Sequence, residues 1–199
     1  MPFDPELHHR RSIRLRGFDY TRPGSYFITI CAYQQTCLFG RIVDAAFSAG
    51  PMGKMVRDVW SEIPGRYPGV ALDTFVLMPN HLHGILTIQS VAAGGSSVLS
   101  KHASVPIAAS VANGAFTRTS SLSIPEVVQR FKSFTTAQFR LGCQTGQWQS
   151  RWLRLWQRNY FEHIISDVGE LIAIREYIER NPLTWEIDRD NPMCCITEG

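Results

Sequence analysis

Residues 70–88 constrain the fold of this chain more than any other stretch. Two runs rich in apolar and β-branched side chains, 70–77 and 81–88, flank the break Met78-Pro79-Asn80. Such runs read as strands, and a proline between them interrupts a ladder, so the break is a turn or bulge. The second run opens with His81 and His83. Side chains alternate across a strand, so the two imidazoles share one face. Two imidazoles on one rigid face form half of a metal site. Read alone, the spacing also suits two histidines that only pack within a strand.

The rest of the chain supplies further elements. Residues 26–33 are aromatic and β-branched and read as a first strand, which 38–43 continues after a break. Met52, Met55, Val56, Val59 and Ile63 recur at steps of three and four, so 51–67 is helical, with Pro64-Gly65 and Pro68-Gly69 closing it. Residues 90–123 are dominated by Ala, Ser, Gly, Val and Thr and read as a flexible insertion within one domain. Ser123-Ile-Pro-Glu126 starts another helix, with serine as N-cap and an acid in the first turn. Residues 159–165 form a strand, and 166–170 open a last helix that stops before Pro182. This order predicts an α+β, ferredoxin-like domain: a mainly antiparallel sheet with the helices packed on one face and the other face available to a long ligand.

Composition narrows the classes. The chain has 199 residues and a net charge of only +3, too little to diagnose nucleic-acid binding by itself. The arginines are clustered, however. Arg10, Arg11, Arg14, Arg16 and Arg22 crowd a basic segment over residues 1–23, and Arg151, Arg154 and Arg158 lie among Trp148, Trp152 and Trp156. Guanidinium groups interleaved with indoles suit phosphates and unstacked bases; solvated arginines beside core tryptophans give the same pattern. Five cysteines without a CxxC spacing exclude a thiolate zinc site or a disulfide framework. With no apolar leader or membrane-length run in this sequence, a cytoplasmic protein is expected.

The last helix carries the remaining chemistry. Leu171, Ile174 and Ile178 form its apolar stripe, while Ala173, Tyr177 and Asn181 share a neighbouring face. Tyr177 therefore sits at the edge of the buried stripe, and Asn181 presents an amide one turn later. His81, His83 and the Asn181 oxygen together can hold a divalent cation with open positions, and the all-nitrogen-and-oxygen donor set suits Mg²⁺ or Mn²⁺. Tyr177 is then placed to attack a phosphorus in line. A core-edge tyrosine and a helix-terminal asparagine would look the same. Tyr160 and His163 are rival candidates, and Asp73 and Glu162 stand out for nothing.

Three segments in order carry a resemblance. Residues 79–84 (PNHLHG) resemble the His-hydrophobe-His signature of HUH endonucleases, and 156–165 and 175–182 resemble the last strand and tyrosine helix of the REP-associated tyrosine transposases. Residues 24–30 also match the first strand of that family, so the likeness covers most of 17–185 apart from the insertion. It implies a single ferredoxin-like transposase domain that cuts and rejoins single-stranded DNA near hairpins. His81 and His83 take the metal-ligand places, Tyr177 the nucleophile place, and Asn181 the third-ligand place, where related insertion-sequence transposases often carry glutamine. The family forms a 5′-phosphotyrosine, releases a 3′-hydroxyl and needs Mg²⁺ or Mn²⁺. Relatives act as monomers or as homodimers that exchange the tyrosine helix. Arg14, Arg16 and Arg22 are expected on phosphates near a hairpin base, with Arg158, Trp152 and Trp156 guiding the strand. Two other readings compete: a single-stranded nucleic-acid binding module without cleavage, and a metal hydrolase that uses a water nucleophile.

Overall fold

A computed structural model describes residues 18–89, 122–148, 153–188 and 190–192. The main sheet comprises β1 (Gly24–Cys31), β4 (Val70–Leu77), β5 (His81–Ile88) and β6 (Phe161–Ile164), and a separate hairpin pairs β2 (Gly40–Val43) with β3 (Ala46–Ala49). The helices are α1 (Pro51–Ser61), α2 (Ile63–Arg66), α3 (Ile124–Gln144) and α4 (Val168–Arg180), and short 3-10 segments occupy Tyr33–Gln35 and Asn181–Ile187. The sheet order is β4-β5-β1-β6 and every pairing is antiparallel. With α1 crossing from β1 to β4 and α3 from β5 to β6, this is the ferredoxin-like layout.

The helices divide between the two faces, so α4 departs from the expectation that all of them share one. Tyr26, Ile28, Ile30, Leu82 and Leu86 pack with Val56, Trp60, Val127 and Phe131 of α1 and α3. The alternate residues Phe27 and Ile85 pack with Leu171, Ile174 and Ile178 of α4. The physical reason is legible in β1, where six consecutive positions from Ser25 to Ile30 are buried. A strand with one wet face alternates; one covered on both faces does not.

Residues 38–43 do not prolong β1. They lead into the hairpin, whose turn places Asp44 at φ 50° and Ala45 at φ 58°. Two successive positive φ values match the right-handed twist of flanking strands in a two-residue connection. The α3 start agrees with its sequence signal, since the Ser123 N–H and hydroxyl donate to the Glu126 carboxylate at 2.8 and 2.7 Å.

An ion pair and a histidine–carboxylate hydrogen bond tie α4 to opposite edges of the sheet. Arg175 donates to both Asp73 oxygens on β4, at 2.8 and 2.5 Å, and Glu170 meets His163 Nε2 on β6 at 2.6 Å. The Arg175 hydrogen bond holds the Asp73 carboxyl below its ordinary pKa. Burial alone would raise Glu170, but hydrogen bonds from the Ser166 N–H, His163 and the Ser166 hydroxyl outweigh it and keep that carboxyl below its usual range.

The Ser90–Ser123 insertion, except for its last two residues, lies outside the described residues, as do Arg10, Arg11, Arg14, Arg16, Arg151, Trp152, Cys194 and Cys195. Among the described residues no helix is long and apolar enough to cross a membrane.

Candidate active site

The α4 face of the sheet is apolar at its β6 end and polar at the start of β5. His81 and His83 both point to it, because Thr29 pairs with His83 and Phe27 with Ile85 across the β1–β5 ladder. Both histidines are buried, with ring centroids 4.5 Å apart. Tyr177 reaches down from α4 so that its Oη lies 3.4 Å from His83 Nε2. Phe27 floors the group, stacking on His83 at 5.5 Å and meeting the Tyr177 ring edge-on at 6.0 Å. Trp185 in the 3-10 segment closes the other side, 6.1 Å from the His81 ring. Tyr177 and Trp185 are half-buried and form the rim.

Asn181 ends α4 and begins the 3-10 segment with helical backbone angles, one turn beyond Tyr177. It is 2% exposed, and its Oδ1 is buried without a hydrogen-bond partner. A buried amide oxygen left unmatched costs free energy unless a donor or a cation meets it. Among the described residues no three His, Cys, Asp or Glu side chains gather as a metal cluster. The Asn181 amide oxygen is a donor of another type, and it is the kind of ligand that hard divalent cations accept. On this test the residues fit a divalent cation.

Neighbours orient both imidazoles. Asn80 Oδ1 lies 2.8 Å from His81 Nδ1, and Thr29 Oγ1 lies 2.8 Å from His83 Nδ1. Sequence reading missed Asn80, Thr29, Phe27 and Trp185. Asn80 had a signal, since it adjoins His81 in the motif. Thr29 and Phe27 had none, because only strand register brings them across. Gly84, which follows the motif, also has a reason: a Cβ there would stand 2.6 Å from the Trp60 ring, so glycine lets the indole approach the strand closely.

The rival residues are drawn elsewhere. Tyr160 belongs to the opposite core, where its hydroxyl donates to Glu162 at 2.5 Å. His163 shares the site face, as the partner of Phe27, but pairs with Glu170. Of the residues expected on DNA, Arg22 and Arg158 are exposed. Trp156 is not available to a base. It is 6% exposed, its ring lies 5.0 Å from Phe39 and 5.7 Å from Phe131, and its Nε1 donates to Thr135 at 2.8 Å. The aromatic-basic pattern around it thus mixed one core indole with surface arginines, as periodicity alone could not distinguish.

This chain has the fold of a solved REP-associated tyrosine transposase bound to a REP hairpin. The two superpose with a TM-score of 0.51 at 14% identity, covering 87% of this chain and 74% of that one. No family model matches the sequence. The chain is 38% identical over 187 residues to an uncharacterized protein of Haemophilus influenzae, covering 94% of this chain and 96% of that protein, and belongs to the same family.

Proposed function

We propose that this protein is a metal-dependent, HUH-type transposase that cuts and rejoins single-stranded DNA next to hairpins. The observation that carries the reading is the convergence of Tyr177 Oη on His83 Nε2 at 3.4 Å, on the face His83 shares with His81. The fold shared with a transposase bound to a REP hairpin supports the DNA partner. His81, His83 and Asn181 would hold Mg²⁺ or Mn²⁺, which when bound supplies a Lewis acid for the scissile phosphate.

The chain's own groups do the rest. Tyr177 Oη attacks phosphorus as the bond from phosphorus to the 3′-oxygen breaks. The phenolic proton passes to solvent at the half-buried rim, and the departing 3′-oxygen takes up a proton. The products are a 5′-phosphotyrosine and a free 3′-hydroxyl. Attack of a 3′-hydroxyl on the phosphotyrosine reverses the step and rejoins strands, because one phosphodiester has been exchanged for another. The Asp73–Arg175 and His163–Glu170 pairs hold α4, and so the nucleophile, in register with the histidines. Arg14, Arg16, Arg22, Arg158 and Trp152 are the proposed DNA contacts.

The test is a covalent-trapping experiment. Labelled single-stranded oligonucleotides bearing hairpins are incubated with protein and Mg²⁺ or Mn²⁺ and run on a denaturing protein gel. Wild type is expected to give a labelled protein band that chelation removes and Tyr177→Phe lacks. Cleavage without an adduct would support a hydrolase that uses water. Tight binding without cleavage would support a binding module.

A further inference from the structure

Asn80 lies between β4 and β5, directly before His81, and is fully buried. Both ends of its amide are engaged. Nδ2 donates to the Gln35 carbonyl at 3.1 Å and to the Asp190 carbonyl at 2.5 Å, while Oδ1 faces His81 Nδ1 at 2.8 Å. Turning the amide over would set its oxygen against two carbonyl oxygens, neither of which can donate. The orientation is therefore determined by the network, and the oxygen facing His81 can only accept. The ring proton of His81 must sit on Nδ1. In the neutral ring the lone pair then lies on Nε2.

His83 is different. Its Nδ1 meets the Thr29 hydroxyl, which can donate or accept, so that contact leaves either tautomer open.

The groups that hold Asn80 come from two distant parts of the chain. Gln34 and Gln35 both adopt left-handed backbone angles, φ 55° and 53°, which non-glycine residues rarely occupy. In that turn the Gln35 carbonyl meets Asn80, and its Nε2 donates to Asp190 Oδ1 at 2.7 Å. Asp190 is buried, and its N–H is held by Asp188 Oδ1 at 2.7 Å. Backbone strain of this kind persists where the surroundings demand it, and it gathers at functional sites.

We infer that Asn80 is a positioning residue that locks His81 as the Nδ1–H tautomer, with Nε2 as its ligating nitrogen, and that the strained Gln34–Gln35 turn and the turn at Asp190 are parts of the same device. The inference rests on the reading of His81 as a metal ligand. A ligating histidine whose other nitrogen is held by a fixed acceptor cannot present the wrong nitrogen, and losing such a partner typically weakens metal affinity about 10–100-fold.

The test begins with the metal-free full-length protein, labelled with ¹⁵N at histidine. Long-range ¹H–¹⁵N correlation at pH 8 reads the tautomer of each ring, and the His81→Gln spectrum assigns the His81 signals. The expected pattern is a pyrrole-type Nδ1 and a pyridine-type Nε2. An Nε2–H pattern, or two protonated nitrogens, would overturn the inference, whether or not Asn80→Ala folds. In folded Asn80→Ala the Nε2–H form should gain population, and the Kd for Mn²⁺ should rise about 10–100-fold. An unchanged tautomer and an unchanged Kd in that variant would also overturn it. Because the NMR measurement uses neither DNA nor metal, a missing DNA adduct beside the expected spectrum would count against the proposed function alone.

Discussion

The two faces of the central sheet solve different problems with the same strands. Toward α1 and α3, the sheet meets a large and continuous core that is mainly apolar, with Thr135 and Glu162 its buried polar members: Tyr26, Ile28, Leu82 and Leu86 against Trp60, Val127, Phe131 and Phe139. Toward α4, the apolar cluster is small, and Thr29, His81, His83 and Asn181 are buried beside it. The first face stabilises by removing apolar area from water. The second gives up part of that gain for buried polar groups, which need partners to be tolerated. For the two imidazoles the partners are Asn80, Thr29 and Tyr177, and the Asp73–Arg175 and His163–Glu170 contacts at the two edges of α4 supplement its short apolar stripe. One face carries most of the apolar core and the other the proposed chemistry, and the strand period of two is what keeps them apart.

The contrast can be broken by substitution. The largest effect is expected on the α4 face: His83→Ala should lower covalent-adduct formation about 10³-fold, as loss of several kcal/mol of transition-state stabilisation implies, with a small change in the urea midpoint. An equal loss of folding would mean that the histidine is chiefly structural. The mirror experiment is Trp60→Ala on the mainly apolar face, expected to cost about 3–5 kcal/mol in urea unfolding while leaving the adduct yield of the folded fraction near wild type. Gly84→Ala probes the strand between the faces. Its new Cβ would press on the Trp60 ring, and a loss of about 1–3 kcal/mol is expected in thermal or urea melts. A neutral result would show that the indole has room to shift.

The smallest effect concerns the α4 ties. Arg175 holds the folded-state pKa of Asp73 below the ordinary carboxylate value of 3.8, so the stability this pair contributes is complete above that value. It falls away as pH drops through the lower folded-state pKa. Asp73→Asn should therefore cost no more than about 1 kcal/mol at pH 7, and its deficit against wild type should shrink as urea melts are taken down through pH 3. A constant deficit would assign the loss to packing instead of charge.

Much of the fold was legible because local patterns were consistent. The strands at 70–77 and 81–88, the α3 start at Ser123 and the Leu171–Ile174–Ile178 stripe of α4 all follow from residue type and period. Misreadings arose where local pattern is ambiguous. Residues 38–43 are as strand-like as the end of β1, and only the left-handed pair Asp44–Ala45 shows that they fold back as a hairpin. Trp156 among arginines looked like a surface ring, and only its packing against Phe39 and Phe131 shows otherwise.

By itself, the sequence determined that His81 and His83 share a face, that Tyr177 edges an apolar stripe and that Asn181 follows it by one turn, because strand and helix periods are local geometry. Which face α4 covers, and therefore that Tyr177 meets His83 at all, was decided only by tertiary structure. So were the hold of Asn80 on His81 through Gln35 and Asp190, and the floor that Phe27 lays under the rings. These contacts join residues from 45 to 110 positions apart in the cases of Asn80 with Gln35 and with Asp190. No local period encodes them; the register of the sheet and the burial of both its faces do.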